Sequence, residues 1–151
     1  MRRKALILLA VAAAAVAALT LLSTQLLEVG ERGPRYFLVD VGGERFVIYV
    51  VDPETIRLAE DNMRGLNSLF PIGELERGDG GFNKPWSWHL RPSSVRMVEV
   101  AIELCDGLPS HVERDLDYWV ETVGRYCPWS GRIVASSSNP GELQGSASPI
   151  K

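Results

Sequence analysis

The sequence is poor in lysine, since beyond Lys4 only Lys84 and Lys151 occur. Without the first 27 residues, thirteen basic residues stand against nineteen acidic ones, which is a net charge of about −6. Binding to nucleic acid depends on lysine and arginine side chains that neutralise phosphates. The composition therefore argues against a nucleic-acid-binding function.

The short motifs that mark common catalytic and cofactor sites are also missing. No Gly-x-Ser-x-Gly stretch offers a serine nucleophile, and the glycines between residues 78 and 81 follow no phosphate-binding pattern. The aspartates lack calcium-loop spacing, and the only histidines, His89 and His111, match no zinc motif. These absences favour a binding module over an enzyme, and we expect neither a cofactor nor a bound metal.

Residues 5–27 contain no charged side chain and follow a basic cluster at residues 2–4. A basic start followed by an apolar run is typical of an export signal, and the basic residues predict a cytoplasmic N-terminus. Alternating alanines within 13–17 offer cleavage sites, but the run is also about long enough to span a bilayer as a helix. We predict that residues 1–27 are a signal peptide or an N-terminal membrane anchor. The rest is expected to be extracytoplasmic and to meet the membrane only through this segment.

The remaining chain divides into three parts by composition. Residues 28–35 are polar and glycine-rich, which indicates a linker. Residues 36–135 carry the apolar periodicity of a folded domain, whereas residues 136–151 have no apolar period and are expected to form a disordered tail.

Within the domain, the patterns predict the element order ββα-ββαβ. Two β-type runs flank Gly42-Gly43, a dipeptide suited to a tight hairpin. Asp52-Pro53-Glu54 predicts one helix start, and Ser110 with Glu113 forms a capping-box pattern for a second helix. Further strands are expected at 72–75, 86–90, 95–104 and 129–135. We predict an α+β fold, a two-layer sandwich whose mainly antiparallel sheet carries two amphipathic helices on one face.

The stretch NKPWSWHLRP, residues 83–92, concentrates aromatic and titratable side chains. In a strand, Trp86, Trp88 and Leu90 would point one way, and Ser87 and His89 the other. A histidine on a polar strand face is more often structural or exposed than catalytic. If the strands pair, however, the polar positions Glu99 and Glu103 of the next strand could lie beside His89. Such a cluster could hold a divalent metal or act as acid and base.

The four tryptophans separate into two pairs. Trp88 and Trp119 fit an interior position, where a buried ring contributes much to stability. Trp86 and Trp129 each lie next to a proline, and they are candidates for an exposed aromatic patch that binds sugar or peptide.

Cys105 and Cys127 are the only cysteines. An oxidising compartment permits a disulfide, worth roughly 3 kcal/mol for a loop of this length. The alternative is two buried thiols. A helix after residue 104 would carry Cys127 away from Cys105, and a bridge needs Cα atoms within about 7 Å. The bridge therefore requires residues 124–127 to fold back, or the helix to cross the sheet obliquely.

Four segments of the domain together carry a recognisable block. They are an Asn-x-x-Trp-Ser-x-His-Leu strand at 83–90, a Glu-x-x-x-Glu-x-Cys-Asp stretch at 99–106, a Val-Glu helix start at 112–113 and a Cys-Pro-Trp-Ser turn at 127–130. In this combination the chain resembles a family of small exported bacterial domains with relatives in slime moulds. The resemblance covers nearly the whole exported domain. It implies that the two cysteines are paired, and it implies no particular activity.

The function expected from the sequence is that of an exported binding domain for a protein, a peptide or a glycan. The alternative from another class is a small metal-dependent hydrolase that uses His89 with Glu99 or Glu103. A third possibility is an inhibitor or chaperone-like domain for an exported enzyme.

Overall fold

The computed structural model describes residues 14–20, 33–101 and 104–147. Two units are distinguished, residues 1–33 and 34–151. In the first unit, residues 14–20 are helical, while the rest of the predicted leader and residues 28–32 of the predicted linker lie outside the described residues. Within the described ranges, no helix is long and apolar enough to cross a membrane.

In the part of the second unit that the structure describes, seven strands alternate with several short helices. The strands are β1 Arg35–Val41, β2 Glu44–Val50, β3 Phe70–Arg77, β4 Trp88–Leu90, β5 Arg96–Val98, β6 Arg125–Tyr126 and β7 Arg132–Ser137. The α-helices are α1 Pro53–Met63, α2 Pro109–Arg114, α3 Leu116–Tyr118 and α4 Gly141–Gln144. A 3-10 turn, Pro92–Ser94, separates β4 from β5, and a π-helical turn, Trp119–Val123, follows α3.

The strands form two antiparallel sheets. The first has the order β2-β1-β7. In the second, β3 pairs with β4, β5 and β6 along successive parts of its length. The predicted hairpin is confirmed: Val41 pairs with Glu44, and the two glycines between them have φ angles of 61° and 91°. Only glycine adopts such a pair of positive φ angles without strain.

The main core lies where the two sheets face each other. Phe46 of the first sheet has its ring 5.3 Å from that of Trp88 and 5.5 Å from that of Tyr126, both in the second sheet. Ile56 and Ala59 of α1 are fully buried in the same cluster. The predicted α+β class with antiparallel pairing is confirmed. Within that class, the strands divide into two facing sheets instead of one sheet under a helical layer.

Helix α1 begins as its sequence predicts. The Asp52 carboxylate accepts hydrogen bonds from the backbone N–H of Thr55 at 2.8 Å and from its hydroxyl at 2.7 Å, and Pro53 occupies the first turn. Helical spacing predicts a buried face made by Ile56, Ala59, Met63 and Leu66, and the structure differs at the C-terminal end of this face. Asn62 is buried, whereas the side chain of Met63 is 38% exposed.

The second predicted helix is broken into three short pieces, α2, α3 and the π-helical turn, which ends at the left-handed Gly124. The predicted capping box does not form. The Glu44 carboxylate instead binds the backbone N–H and hydroxyl of Ser110, both at 2.7 Å. Glu113 binds the N–H and hydroxyl of Ser87. Ser110 and Glu113 therefore bond to residues that are distant in sequence, and not to each other.

The strand predicted over 95–104 is shorter. The alternation that assigns Glu99 and Glu103 to the polar face of this strand assigns Val98, Val100 and Leu104 to its buried face. The structure has the opposite phase. Among the described residues of this range, Arg96–Val98 alone forms a strand, and Val95 and Met97 are buried within it or next to it. Apolar residues occupy both alternating series in this stretch, so the sequence pattern did not determine which series faces inward. Val100 and Leu104, predicted to face the core, are 74% and 91% exposed.

The predicted disordered tail requires correction over residues 136–147. Strand β7 continues through Ser137, and α4 follows it. Leu143 and Ala147 are each 5% exposed and form a second small core on the outer face of the first sheet, with Leu38 and Val47. The outer face of the first sheet carries apolar side chains. The C-terminal segment packs against them although its composition is polar. Residues 148–151 lie outside the described residues.

Two buried asparagines each bind an edge strand of the first sheet. Asn83, fully buried, accepts the Val47 N–H of β2 at 2.7 Å and donates to the Trp88 carbonyl at 2.7 Å. Asn62 accepts the Ile133 N–H of β7 at 2.9 Å. Unpaired backbone groups at sheet edges are costly when buried, so these side chains complete the hydrogen bonding.

Candidate functional site

The disulfide between Cys105 and Cys127 is present, with Cα atoms 5.2 Å apart and both residues fully buried. The chain folds back as the bridge requires, because Gly124 at φ 73° ends the π-helical turn. The Cys127 N–H then donates to the Cys105 carbonyl at 2.8 Å. The two cysteine segments are thus joined both covalently and through their backbones.

Further hydrogen bonds hold the same two segments together. Asp106 accepts the backbone N–H of Trp129 at 2.9 Å, and the Tyr126 hydroxyl donates to the Gly107 carbonyl at 2.8 Å. Burial raises the pKa of the Tyr126 hydroxyl well above its ordinary value, so this group remains a donor at neutral pH. These bonds and the bridge together hold the backbone segments next to both cysteines, including the segment that leads to Trp129.

The Trp129 side chain is nonetheless 54% exposed. It lines an open groove of about 330 Å³ together with Glu99 and four other residues, Ser68, Phe70, Val100 and Ala101. Two of the residues predicted to form a site, Glu99 and Trp129, therefore come together here. The combination is an exposed indole, a carboxylate and an apolar floor.

A second open groove, of about 410 Å³, includes Leu104 and Tyr118 in its lining. The two grooves are connected through the disulfide, because Phe70 and Ala101 of the first groove and Val123 of the second pack with the cysteines in one cluster. Among the described residues that line these grooves, four apolar side chains are more than half exposed. We call them the disulfide surface: Val100, Leu104, Tyr118 and Trp129.

His89 lies elsewhere and has different neighbours from those expected. Its Nδ1 is 2.8 Å from the Gly78 carbonyl oxygen, and its Nε2 is 3.2 Å from a Glu76 carboxylate oxygen. Its side chain is only 13% exposed. Glu76 is its direct cross-strand partner in β3.

The structure does not bring Glu99 to His89. Glu99 follows Val98, which pairs with Phe70, whereas His89 pairs with Glu76. At about 3.3 Å per residue, these positions lie roughly 20 Å apart along β3. Glu103, the other expected partner, lies outside the described residues.

The carboxylates near His89 belong to an ion-pair network. Arg91 binds Glu76 through its Nε at 2.7 Å and also binds Glu74. The hydrogen bond from Arg91 lowers the pKa of Glu76, and this effect exceeds the opposing effect of burial. In the part of the chain that the structure describes, no three His, Cys, Asp or Glu side chains are grouped to hold a metal. His89 and Arg91 thus link β4 and the residue after it to β3.

The lowered pKa of Glu76 predicts a pH dependence of stability. The stabilisation by the ionised Glu76 carboxylate is complete above the ordinary glutamate pKa of about 4.3. It is lost as the pH falls through the lower pKa that Glu76 has in the folded domain. We expect Glu76→Gln to destabilise the domain at neutral pH, and the two free energies of unfolding to converge as the medium becomes strongly acidic. Urea titrations across the acid range measure this difference. Glu121→Gln, which removes an exposed carboxylate paired with Arg77, supplies the baseline for losing one negative charge.

The other predicted contact residue, Trp86, is a core residue. Its side chain is 4% exposed, and its Nε1 donates to the Arg45 carbonyl at 2.8 Å. Trp88 and Trp119 are buried, as their pattern predicted. Among the four tryptophans, all of them described, Trp129 alone is exposed, so Trp86 is not available for the aromatic patch predicted from the sequence.

Sequence reasoning missed three residues of the disulfide surface: Val100, Leu104 and Tyr118. The predicted strand alternation puts the first two on the buried face, and Tyr118 directly precedes Trp119, which fits an interior position. The sequences Cys105-Asp106 and Cys127-Pro128-Trp129 could have indicated the contact between Asp106 and Trp129, because a bridge between the cysteines brings these two residues close together.

Comparison with known families gives one result. Residues 33–140 match the family described as the BP-74 N-terminal domain. No curated protein and no solved structure matches the chain. The match spans the strands from β1 to β7 and both cysteines. The chain therefore belongs to the BP-74 N-terminal domain family.

Proposed function

We propose that this domain is an exported binding module that engages a protein partner through the disulfide surface. The observation that carries the proposal is the exposure of four large apolar side chains, between 54% and 91%, around one buried bridge. Exposed apolar groups that cluster in this way are typical of interaction sites, and tryptophan and tyrosine are enriched among residues that dominate binding energy.

The way in which Trp129 is held supports the same function. A side chain contributes more to affinity when little conformational freedom is lost on binding. The disulfide, the Cys127–Cys105 backbone bond and the Asp106 bond fix the backbone that presents the indole. The structural role of the Cys-Asp and Cys-Pro-Trp segments is then to present Trp129 to a partner.

Export is part of the proposal and rests on two features. The basic and apolar N-terminal pattern of residues 1–27 is that of an export signal or an anchor. A disulfide is stable in oxidising compartments outside the cytoplasm. We place the domain on the outer side of the cytoplasmic membrane, with contact to the membrane only through the N-terminal segment. An inhibitor or chaperone-like role for an exported enzyme would use the same surface.

The metal-dependent hydrolase receives less support from the geometry. Both ring nitrogens of His89 have partners, Gly78 and Glu76, within the domain. The carboxylate that was expected to complete the site, Glu99, lies in the groove beside Trp129.

Site-specific photo-cross-linking in the cells that export the chain tests the proposal. A benzophenone amino acid is placed in turn at positions 100, 104, 118 and 129, and at the exposed Lys84 as control. We expect discrete adducts with a protein from the first four positions and not from position 84. Adducts of equal yield from position 84, or none from the disulfide surface, would refute the proposal.

A further inference from the structure

The groove beside Trp129 contains a carboxylate that has no partner among the described residues. The Glu99 side chain is exposed and lines the groove with the indole. Most other acidic groups of the domain are engaged: Glu74 and Glu76 bind Arg91, while Glu44 and Glu113 bind serine residues. Within the described ranges, by contrast, the Glu99 carboxylate accepts no hydrogen bond and forms no ion pair.

An exposed indole beside an unpaired carboxylate is a combination that suits a cation. The face of a tryptophan ring attracts ammonium and guanidinium groups, and a neighbouring carboxylate adds Coulomb attraction. The apolar floor of Phe70 and Ala101 complements the methylene stem of a long basic side chain. The exported part also carries a net charge of about −6, which favours the approach of a basic partner.

We propose that the groove receives an arginine or lysine side chain of the partner protein, with Val100 contacting apolar residues next to it. This inference rests on the proposed function, because it names the chemistry of the partner at the same surface. Arginine suits the site better than lysine, since its planar guanidinium stacks on an indole and forms paired hydrogen bonds with a carboxylate.

A pair of capped tripeptides tests this inference on the full chain. One is acetyl-Leu-Arg-Leu-amide, and the other replaces arginine with citrulline, which has nearly the same shape and no charge. Binding is followed by the NMR signal of the Trp129 indole N–H, assigned by its loss in Trp129→Phe. We expect saturable binding of the arginine peptide, about tenfold tighter than that of the citrulline peptide and weaker at high salt.

Two variants separate the contributions of the Glu99 carboxylate and the Trp129 indole to peptide binding. Glu99→Gln is expected to remove most of the advantage of arginine over citrulline. Trp129→Ala, in which binding is followed by the backbone amide signal of Val100 in the same groove, is expected to bind neither peptide. Glu142→Gln, an acidic position that binds Ser137, should leave both affinities unchanged.

Equal binding of the two peptides, or an arginine advantage that survives Glu99→Gln, would overturn the inference. So would failure of the arginine peptide to perturb the Trp129 indole. If cross-linking still maps a partner to the disulfide surface, only the basic chemistry is refuted. If cross-linking fails as well, the proposed function fails with it.

Discussion

Replacing Asn83 with alanine is expected to lower the free energy of unfolding by about 2–4 kcal/mol, although the side chain is small and uncharged. Its amide bonds at 2.7 Å to both the Val47 N–H and the Trp88 carbonyl, and it is fully buried. The substitution leaves a donor and an acceptor buried without partners. It also frees an edge of the first sheet beside the main core. Chemical denaturation of the full chain, followed by tryptophan fluorescence, measures the loss.

Asn139→Ala is the matched control for this substitution. The Asn139 side chain accepts one hydrogen bond, from the Gly141 N–H in an exposed turn, so water can replace it. We expect a change of about 0.5 kcal/mol or less. Similar losses for Asn83 and Asn139 would contradict the role assigned to the buried amide.

Removal of the disulfide by the double substitution Cys105→Ala and Cys127→Ala should cost roughly 3 kcal/mol, mainly because the unfolded chain gains freedom. Alanine is preferred to serine because both positions are fully buried. For a domain of this size, the loss corresponds to a fall in melting temperature of roughly 10–20 °C. Thermal unfolding of the oxidised chain, the reduced chain and the double variant provides the comparison.

The reduced chain should resemble the double variant, and both should bind the partner less well because Trp129 is held less firmly. Trp129→Ala serves as the opposite control, since Trp129 is already about half exposed in the folded domain. It is expected to lower the free energy of unfolding by about 1–2 kcal/mol, less than the loss of the bridge, while removing binding. A stability loss below about 1 kcal/mol in the double variant would show that the hydrogen bonds from Asp106 and Tyr126 fix these segments without the bridge.

The sequence predicted correctly those parts of the fold that depend on interactions between residues close together in the chain. The Gly42-Gly43 hairpin and the Asp52 cap follow from the conformations and hydrogen bonds of neighbouring residues. The alternation correctly gave the buried side of Trp88 and Leu90, whereas Trp86, a candidate for the exposed patch, is buried with them. In each case the residues that decide the structure lie within a few positions of each other.

The parts that sequence reasoning did not predict depend on distant partners. Ser110 is bound by Glu44, which lies 66 residues earlier, so the capping-box pattern was misleading. The phase of the strand after Val95 depends on which residues meet the facing sheet, and both apolar series were acceptable locally. For the site, the pairing of Glu99 with Trp129 in one groove required the disulfide fold. His89 was expected beside Glu99 because the true cross-strand neighbour, Glu76, lay in a weakly patterned segment.

In the proposed function, Trp129, which the bridge holds in place, forms the main contact of a protein-binding surface. The most direct test places the benzophenone group at position 100 and compares cross-linking in chains with tryptophan, phenylalanine or alanine at position 129. We predict that the adduct is retained with phenylalanine and falls about tenfold with alanine, while thermal unfolding shows that all three chains are folded at the temperature of the experiment. An adduct of undiminished yield in the alanine variant would contradict the claim.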